Sequence, residues 1–165
     1  MKTVYLIRHA KSSWSDSTLR DVDRPLNPRG LRDAPVMASI LLAKEGKVPD
    51  LLVSSPANRA FTTATFFAEA FGIEDAKIQV VPKIYEAYTN DIFEVIGGLE
   101  ETVQTVCIFG HNPTMTSLAN MFAGEYIPNV PTCGILKLNS TAEQWTDFST
   151  NNTERVAFHF PKQYS

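Results

Sequence analysis

Short apolar runs alternate along the chain with longer stretches whose apolar residues recur every three to four positions. Seven runs predict strands, at 3–7, 50–54, 77–81, 105–109, 134–139, 144–149 and 155–160. Helical patterns lie between the first four. Leu31, Ala34, Ala38, Leu41 and Leu42 form one stripe, and Ala60, Ala64, Phe67, Ala68 and Phe71 a second, both at the 3.6-residue period. Such alternation predicts an α/β fold built on a mostly parallel sheet flanked by helices. After Gly124, turn formers and β-branched residues dominate, and the C-terminal third reads as a meander of short strands.

Punctuation sharpens this pattern. Asn27-Pro28, Ser55-Pro56 and Asn112-Pro113 each place an N-cap residue before a proline suited to the first helical position. The last two follow apolar strands directly, so their helices should open at the strand ends, where free backbone N–H groups favour an anion. Pro35 falls inside the first helical stripe and predicts a kink or a break. No repeat, low-complexity tract or linker interrupts the 165 residues, which predicts a single domain over 1–165.

Composition narrows the partners. A hydrophobic fraction of 44% and a charged fraction of 20% are ordinary for a globular protein. Net charge of -3 gives no general attraction to nucleic acid or anionic lipid, so any anion site must be a local gathering of cations. No apolar run approaches the roughly 18 residues of a membrane span, and the apolar run that leads into Arg8 is only four residues long, Val4 to Ile7. Cys107 and Cys133, both in apolar segments, read as reduced thiols. The expected location is cytoplasmic.

Chemistry-bearing residues cluster at strand ends. Arg8-His9 closes the first apolar run, Arg59 falls in the first turn after Ser55-Pro56, and His111 follows the run at 105–109 through Gly110. Open α/β sheets bind ligands at these carboxyl ends. Arginine donates a planar fork of N–H groups to an oxyanion. A histidine among cations stays neutral and nucleophilic at pH 7. Together these groups read as a phosphate pocket with His9 as nucleophile, His111 donating to a phosphoryl oxygen and Asn112 offering its backbone N–H. His159, inside the last strand pattern, reads as structural. Neither cysteine makes a Cys-x5-Arg cradle, and Asp21-Val22-Asp23 follows no buried strand that would present an aspartyl nucleophile. Gly-rich dinucleotide and Walker loops are absent, and the histidines lack metal-ligand spacing.

Leu6-Ile7-Arg8-His9-Ala10-Lys11-Ser12 resembles the signature of the histidine phosphatase superfamily, whose fold is the three-layer phosphoglycerate mutase-like one. The segment from Ser54 to Ala64 is similar to that family's second block, and Gly110-His111-Asn112 to its third. The short chain, the stretch from Asp23 to Gly30, and Asn112-Pro113-Thr114 resemble the SixA-like phosphohistidine phosphatases. The resemblance implies a metal-independent reaction, without cofactor, through a phosphorylated His9, with Arg8, Arg59 and His111 on the phosphoryl group. Ala10 stands where the superfamily usually has glycine, and Ser15 where many members have an asparagine that touches phosphate. Glu86 aligns with the family's acid, which would need to hold a proton at neutral pH to release an alcohol.

Three functional readings follow. The first is hydrolysis of phosphohistidine on a protein partner, favoured by the short loops. The second is hydrolysis of a small phosphomonoester with Glu86 as general acid. The third is a phosphate-binding module without turnover.

Overall fold

The computed structural model describes residues 1–165. Ten principal elements run in the order β1 (Lys2–Arg8), α1 (Pro28–Glu45), β2 (Leu51–Ser54), α2 (Asn58–Phe71), β3 (Gln79–Val80), α3 (Thr89–Gly97), β4 (Thr105–Gly110), α4 (Thr114–Met121), β5 (Ile135–Ser140) and β6 (Thr153–His159). The strands form one sheet ordered β3-β2-β4-β1-β5-β6. From β3 through β1 it is parallel, while β5 and β6 add antiparallel.

Both faces of the sheet are covered, which is why β1 and β4 read as unbroken apolar runs. Val4, Leu6, Val106 and Ile108 pack on one side with Ile92 and Ile96 of α3 and Met115 and Leu118 of α4. Tyr5, Ile7, Cys107 and Phe109 pack on the other with Ala34, Met37, Ala38 and Leu41 of α1 and Ala64, Phe67, Ala68 and Phe71 of α2. The result is the expected three-layer α/β architecture. The helix after β1 goes to one face and the helix after β4 to the other. These neighbouring parallel strands therefore diverge at their carboxyl ends, leaving the crevice where such sheets take ligands.

Several local expectations change. Helix α1 runs unbroken through Pro35. The hydrogen bond a proline removes is the one to the carbonyl four residues earlier. That carbonyl belongs to Leu31, which is 48% exposed, while the buried stripe of Ala34, Met37, Ala38 and Leu41 spans the proline. Leu31 thus lies outside the core stripe. Of the run at 77–81 only Gln79–Val80 pairs, at the sheet edge. The run at 144–149 is no strand: Trp145–Asp147 forms a 3-10 turn. Trp145 is fully buried there, its Nε1–H donates to the Val103 carbonyl at 2.8 Å, and its N–H to Glu101 at 2.7 Å. The meander reduces to the β5–β6 pair.

Of the three predicted caps, Asn27 caps α1 as expected, its side chain accepting from the Gly30 N–H at 2.9 Å. Ser55 and Asn112 lie earlier than the cap position. Helix α2 begins at Asn58, and Ser55 Oγ accepts from the Ala57 N–H in the preceding loop at 3.1 Å. Helix α4 begins at Thr114, and Asn112 Oδ1 accepts from the Thr116 N–H at 3.1 Å. Gly30 has a separate duty, since a Cβ there would sit 2.2 Å from the Lys11 carbonyl oxygen. Its bareness lets α1 press against the loop that leaves β1. No helix is long and apolar enough to cross a membrane.

Candidate active site

The β1–β4 register pairs Arg8 with Gly110, which sets His9 and His111 side by side just past the strand ends. Their ring centroids are 5.3 Å apart. The His9 backbone is held on both sides, donating to the Gly110 carbonyl and accepting from the Cys133 N–H, each at 3.0 Å. Next to it, the Ala10 N–H donates to Thr63 Oγ1 at 3.0 Å, tying the loop to α2. Arg59, second residue of α2, reaches the same crevice and is buried.

A cavity of about 210 Å³ opens here, lined by Arg8, His9, Lys11, Ser12, Trp14, Arg24, Arg59, His111, Asn112 and Thr132. Four cationic side chains and no carboxylate form its wall. Two N–H-bearing arginine atoms, Arg8 Nε and Arg59 Nε, and the His111 Nδ1 are buried without a hydrogen-bond partner. Buried polar atoms are nearly always satisfied. Orphans converging on one cavity therefore mark where an anion's oxygens fit. A larger hollow of about 480 Å³ lies at the other end of the sheet, but sets Lys2, already paired with Glu101, among Glu143 and neutral residues.

Hydrogen bonding assigns the histidine protons. His9 Nδ1 lies 2.7 Å from the Ala10 carbonyl, which can only accept, so Nδ1 carries the hydrogen. In the neutral ring that leaves a lone pair on Nε2. Burial lowers the His9 pKa to about 3, against the Ala10 bond that favours the charged form, with His111, Arg59 and Arg8 adding repulsion. His111 falls to about 4, chiefly by burial and then by Arg59. Its Nε2 lies 2.8 Å from Ser55 Oγ, which already accepts the Ala57 N–H. The hydroxyl hydrogen is thus free to donate to Nε2, placing the ring proton on the orphaned Nδ1.

Asp21 organises the arginines. Its carboxylate accepts from Arg24 Nε at 3.0 Å, Arg59 NH2 at 3.0 Å and the Tyr85 hydroxyl at 2.6 Å, while its carbonyl takes Arg59 NH1 at 2.7 Å. The Tyr85 hydrogen bond, with the two arginines, holds this carboxyl well below the usual carboxylate range. Arg8 NH1 is fixed by the Val130 carbonyl at 2.8 Å.

Arg8, His9, Arg59, His111 and Asn112 thus come together as the sequence indicated. Glu86 and Ser15 do not line the cavity, and both are exposed. Glu86 sits in a left-handed turn with φ 57°, and Ser15 bonds instead to Ser13. Sequence reasoning missed the roles in this wall of Arg24, Lys11, Ser12, Trp14 and Thr132, and the Asp21–Tyr85 support. The spacing of Asp21 and Arg24, three residues apart on one turn, was the available signal. No group of three or more His, Cys, Asp or Glu side chains is placed to hold a metal ion. Both cysteines are buried free thiols.

The profile of the histidine phosphatase superfamily (branch 1) matches residues 4–94. The crystal structure of SixA from Agrobacterium tumefaciens aligns over 97% of this chain and 98% of that one, with a TM-score of 0.80 and 31% identity. The structure of the protein histidine phosphatase SixA complexed with tungstate covers 99% of both chains at a TM-score of 0.81 and 20% identity, a likeness of fold. An uncharacterised Mycobacterium tuberculosis protein is 32% identical over 166 residues, spanning 94% of this chain and 100% of that one. The chain belongs to the histidine phosphatase superfamily, with a SixA-like phosphoglycerate mutase-like fold.

Proposed function

We propose that the protein is a phosphatase that takes phosphate from phosphohistidine on a partner protein, through a phosphorylated His9. One observation carries this reading: the Ala10 carbonyl fixes the His9 tautomer, leaving an Nε2 lone pair beside a cavity walled by cations. That lone pair attacks phosphorus, forming an N–P bond as the bond from phosphorus to the substrate's ring nitrogen breaks. The departing ring carries a proton from solvent on its other nitrogen, so it keeps the electron pair of the broken bond and leaves as neutral imidazole. Water then attacks the phosphorylated His9, Nε2 leaves with its electron pair, and inorganic phosphate is released. Overall one water is consumed and His9 returns to its neutral form.

Arg8, Arg59, Arg24, Lys11 and the His111 Nδ1–H balance the charge on the phosphoryl oxygens, with the Asn112 backbone N–H a further donor. These fixed cations do the electrostatic work that a metal ion does elsewhere, so a chelator should leave the rate unchanged. The absence of a carboxylate from the wall favours a nitrogen leaving group. An alcohol needs an acid to depart, and Glu86 is exposed and off the cavity; an imidazole departs as a stable neutral base. The name of the Agrobacterium relative, shared with the tungstate-bound protein histidine phosphatase, points the same way.

The test is a rate comparison on a phosphohistidine peptide, phosphoramidate and a panel of phosphate esters. The peptide and phosphoramidate should exceed the esters in kcat/KM by at least about a hundredfold, the lower range of a general acid's worth. Esters cleaved as fast would overturn the assignment.

A further inference from the structure

Beside the anion cavity lies a second hollow of about 260 Å³, walled by Trp14, Asp16, Ser17, Leu19, Asp21 and Arg24. Trp14 and Arg24 belong to both, so the two spaces share a partition. Trp14 is 73% exposed, an unusual position for the largest apolar side chain. The Arg24 guanidinium backs its ring, with Cζ 3.5 Å from the ring centroid. Arg24 is itself only 7% exposed and is pinned by Ser12 Oγ at 2.8 Å, the Ser13 carbonyl at 3.0 Å and Asp21 at 3.0 Å. The indole is therefore a stiffly backed aromatic surface, largely open to solvent, at the mouth of the site.

The charges on the two sides of the partition are opposite in character. Four cations and no carboxylate line the cavity, whereas Asp16 and Asp21 outnumber Arg24 in the groove. A substrate that places a phosphoryl dianion in the first and an aromatic, cation-forming ring in the second satisfies both. We propose that this groove is the leaving-group subsite, and that Trp14 determines specificity by stacking on the imidazole ring of phosphohistidine carried by a partner protein. The inference rests on the phosphatase reading and adds the element that chooses what phosphate is taken from. Arg24 joins the two halves, facing the phosphoryl group while stiffening the platform. The carboxylates favour the protonated, cationic ring of the bound phosphohistidine, which then departs as neutral imidazole when the P–N bond breaks.

Two measurements test it. In the first, kcat/KM is measured on a phosphohistidine peptide and on phosphoramidate, whose leaving group has no ring. Trp14→Ala should lower the ratio of the two values about tenfold, the worth of an aromatic stack, and Trp14→Phe should restore it to within about threefold by the same stacking. A ratio unchanged in Trp14→Ala overturns the subsite while leaving the His9 chemistry standing. In the second, imidazole is titrated into the wild-type protein in saturating inorganic phosphate, following the indole N–H resonances. Trp14 should shift, while the fully buried Trp145, the one other tryptophan, stays in place. An unmoved Trp14 resonance overturns the subsite whatever the rates are. A shift in a protein that hydrolyses neither substrate refutes the phosphatase reading and the leaving-group role with it, leaving only a groove that binds imidazole.

Discussion

Acidification from pH 7 to pH 5 should destabilise the fold through the two histidines that line the crevice. Burial first, and neighbouring arginines after it, hold His9 near 3 and His111 near 4, whereas both titrate near 6.5 in an unfolded chain. Below pH 6.5 the unfolded state takes up a proton at each ring and the native state does not, so stability falls as pH falls. The loss begins as pH drops through about 6.5 and is complete only at the folded-state values. One differential proton is worth about 1.4 kcal/mol per pH unit, which integrates to about 2 kcal/mol per histidine by pH 5. His9, 7% exposed, carries most of this, and the half-buried His111 carries less. A combined loss of about 3 kcal/mol is a large share of the roughly 5–15 kcal/mol by which domains are stable.

The half-exposed His159, also lowered by burial, adds a smaller loss of the same sign. Most carboxylates stay ionised above pH 5, so the histidines dominate this window. Urea unfolding at pH 7 and pH 5 in phosphate-free buffer measures the difference, since bound phosphate would add its own stabilisation. His9→Asn should shrink the loss between the two pH values by about 2 kcal/mol, the share of one differential proton. Equal stability of the wild type at both pH values, or an undiminished loss in the variant, would refute the reasoning.

Other substitutions separate the roles in the cavity. His9→Ala should abolish turnover yet keep phosphate affinity within about threefold, because the cations that hold the anion remain; equilibrium binding and steady-state rates report both. Arg59→Ala removes a charge-assisted contact of about 1.5–3 kcal/mol, so the inhibition constant for phosphate should rise about ten- to a hundredfold. An unchanged constant would mean that the Arg59 fork serves Asp21 alone. Glu86→Gln should alter rates on esters and phosphoramidate by less than about twofold, given its distance from the wall. A selective collapse of ester hydrolysis would instead make Glu86 the leaving-group acid.

Much of the site was legible because a parallel sheet converts sequence position into spatial position. Arg8-His9 and Gly110-His111 both follow apolar runs, and such runs align their carboxyl ends. Arg59 follows a third run across a short loop, as the second residue of α2, so it arrives at the same crevice. The hidden parts depend on contacts the sequence does not order. Asp21 meets Arg59 across 38 residues and Tyr85 across 64, and its spacing to Arg24 points to their shared turn but not to these distant partners. Trp14 reads as one more loop residue until Arg24 is seen stacked on it. The misread 144–149 run has the same origin, since Trp145 is drawn into the core by Val103 and Glu101 rather than by a neighbouring strand. Pro35 was overridden by the apolar face that α1 buries.

The covalent role of His9 is the centre of this account, and trapping the intermediate tests it most directly. The protein is mixed with a phosphohistidine peptide, quenched in alkali within milliseconds, digested and analysed by mass spectrometry. The account predicts phosphate on His9 in the wild type, decaying at a rate no slower than turnover, and none anywhere in His9→Ala. Phosphate on another residue, or turnover sustained by His9→Ala, would contradict it.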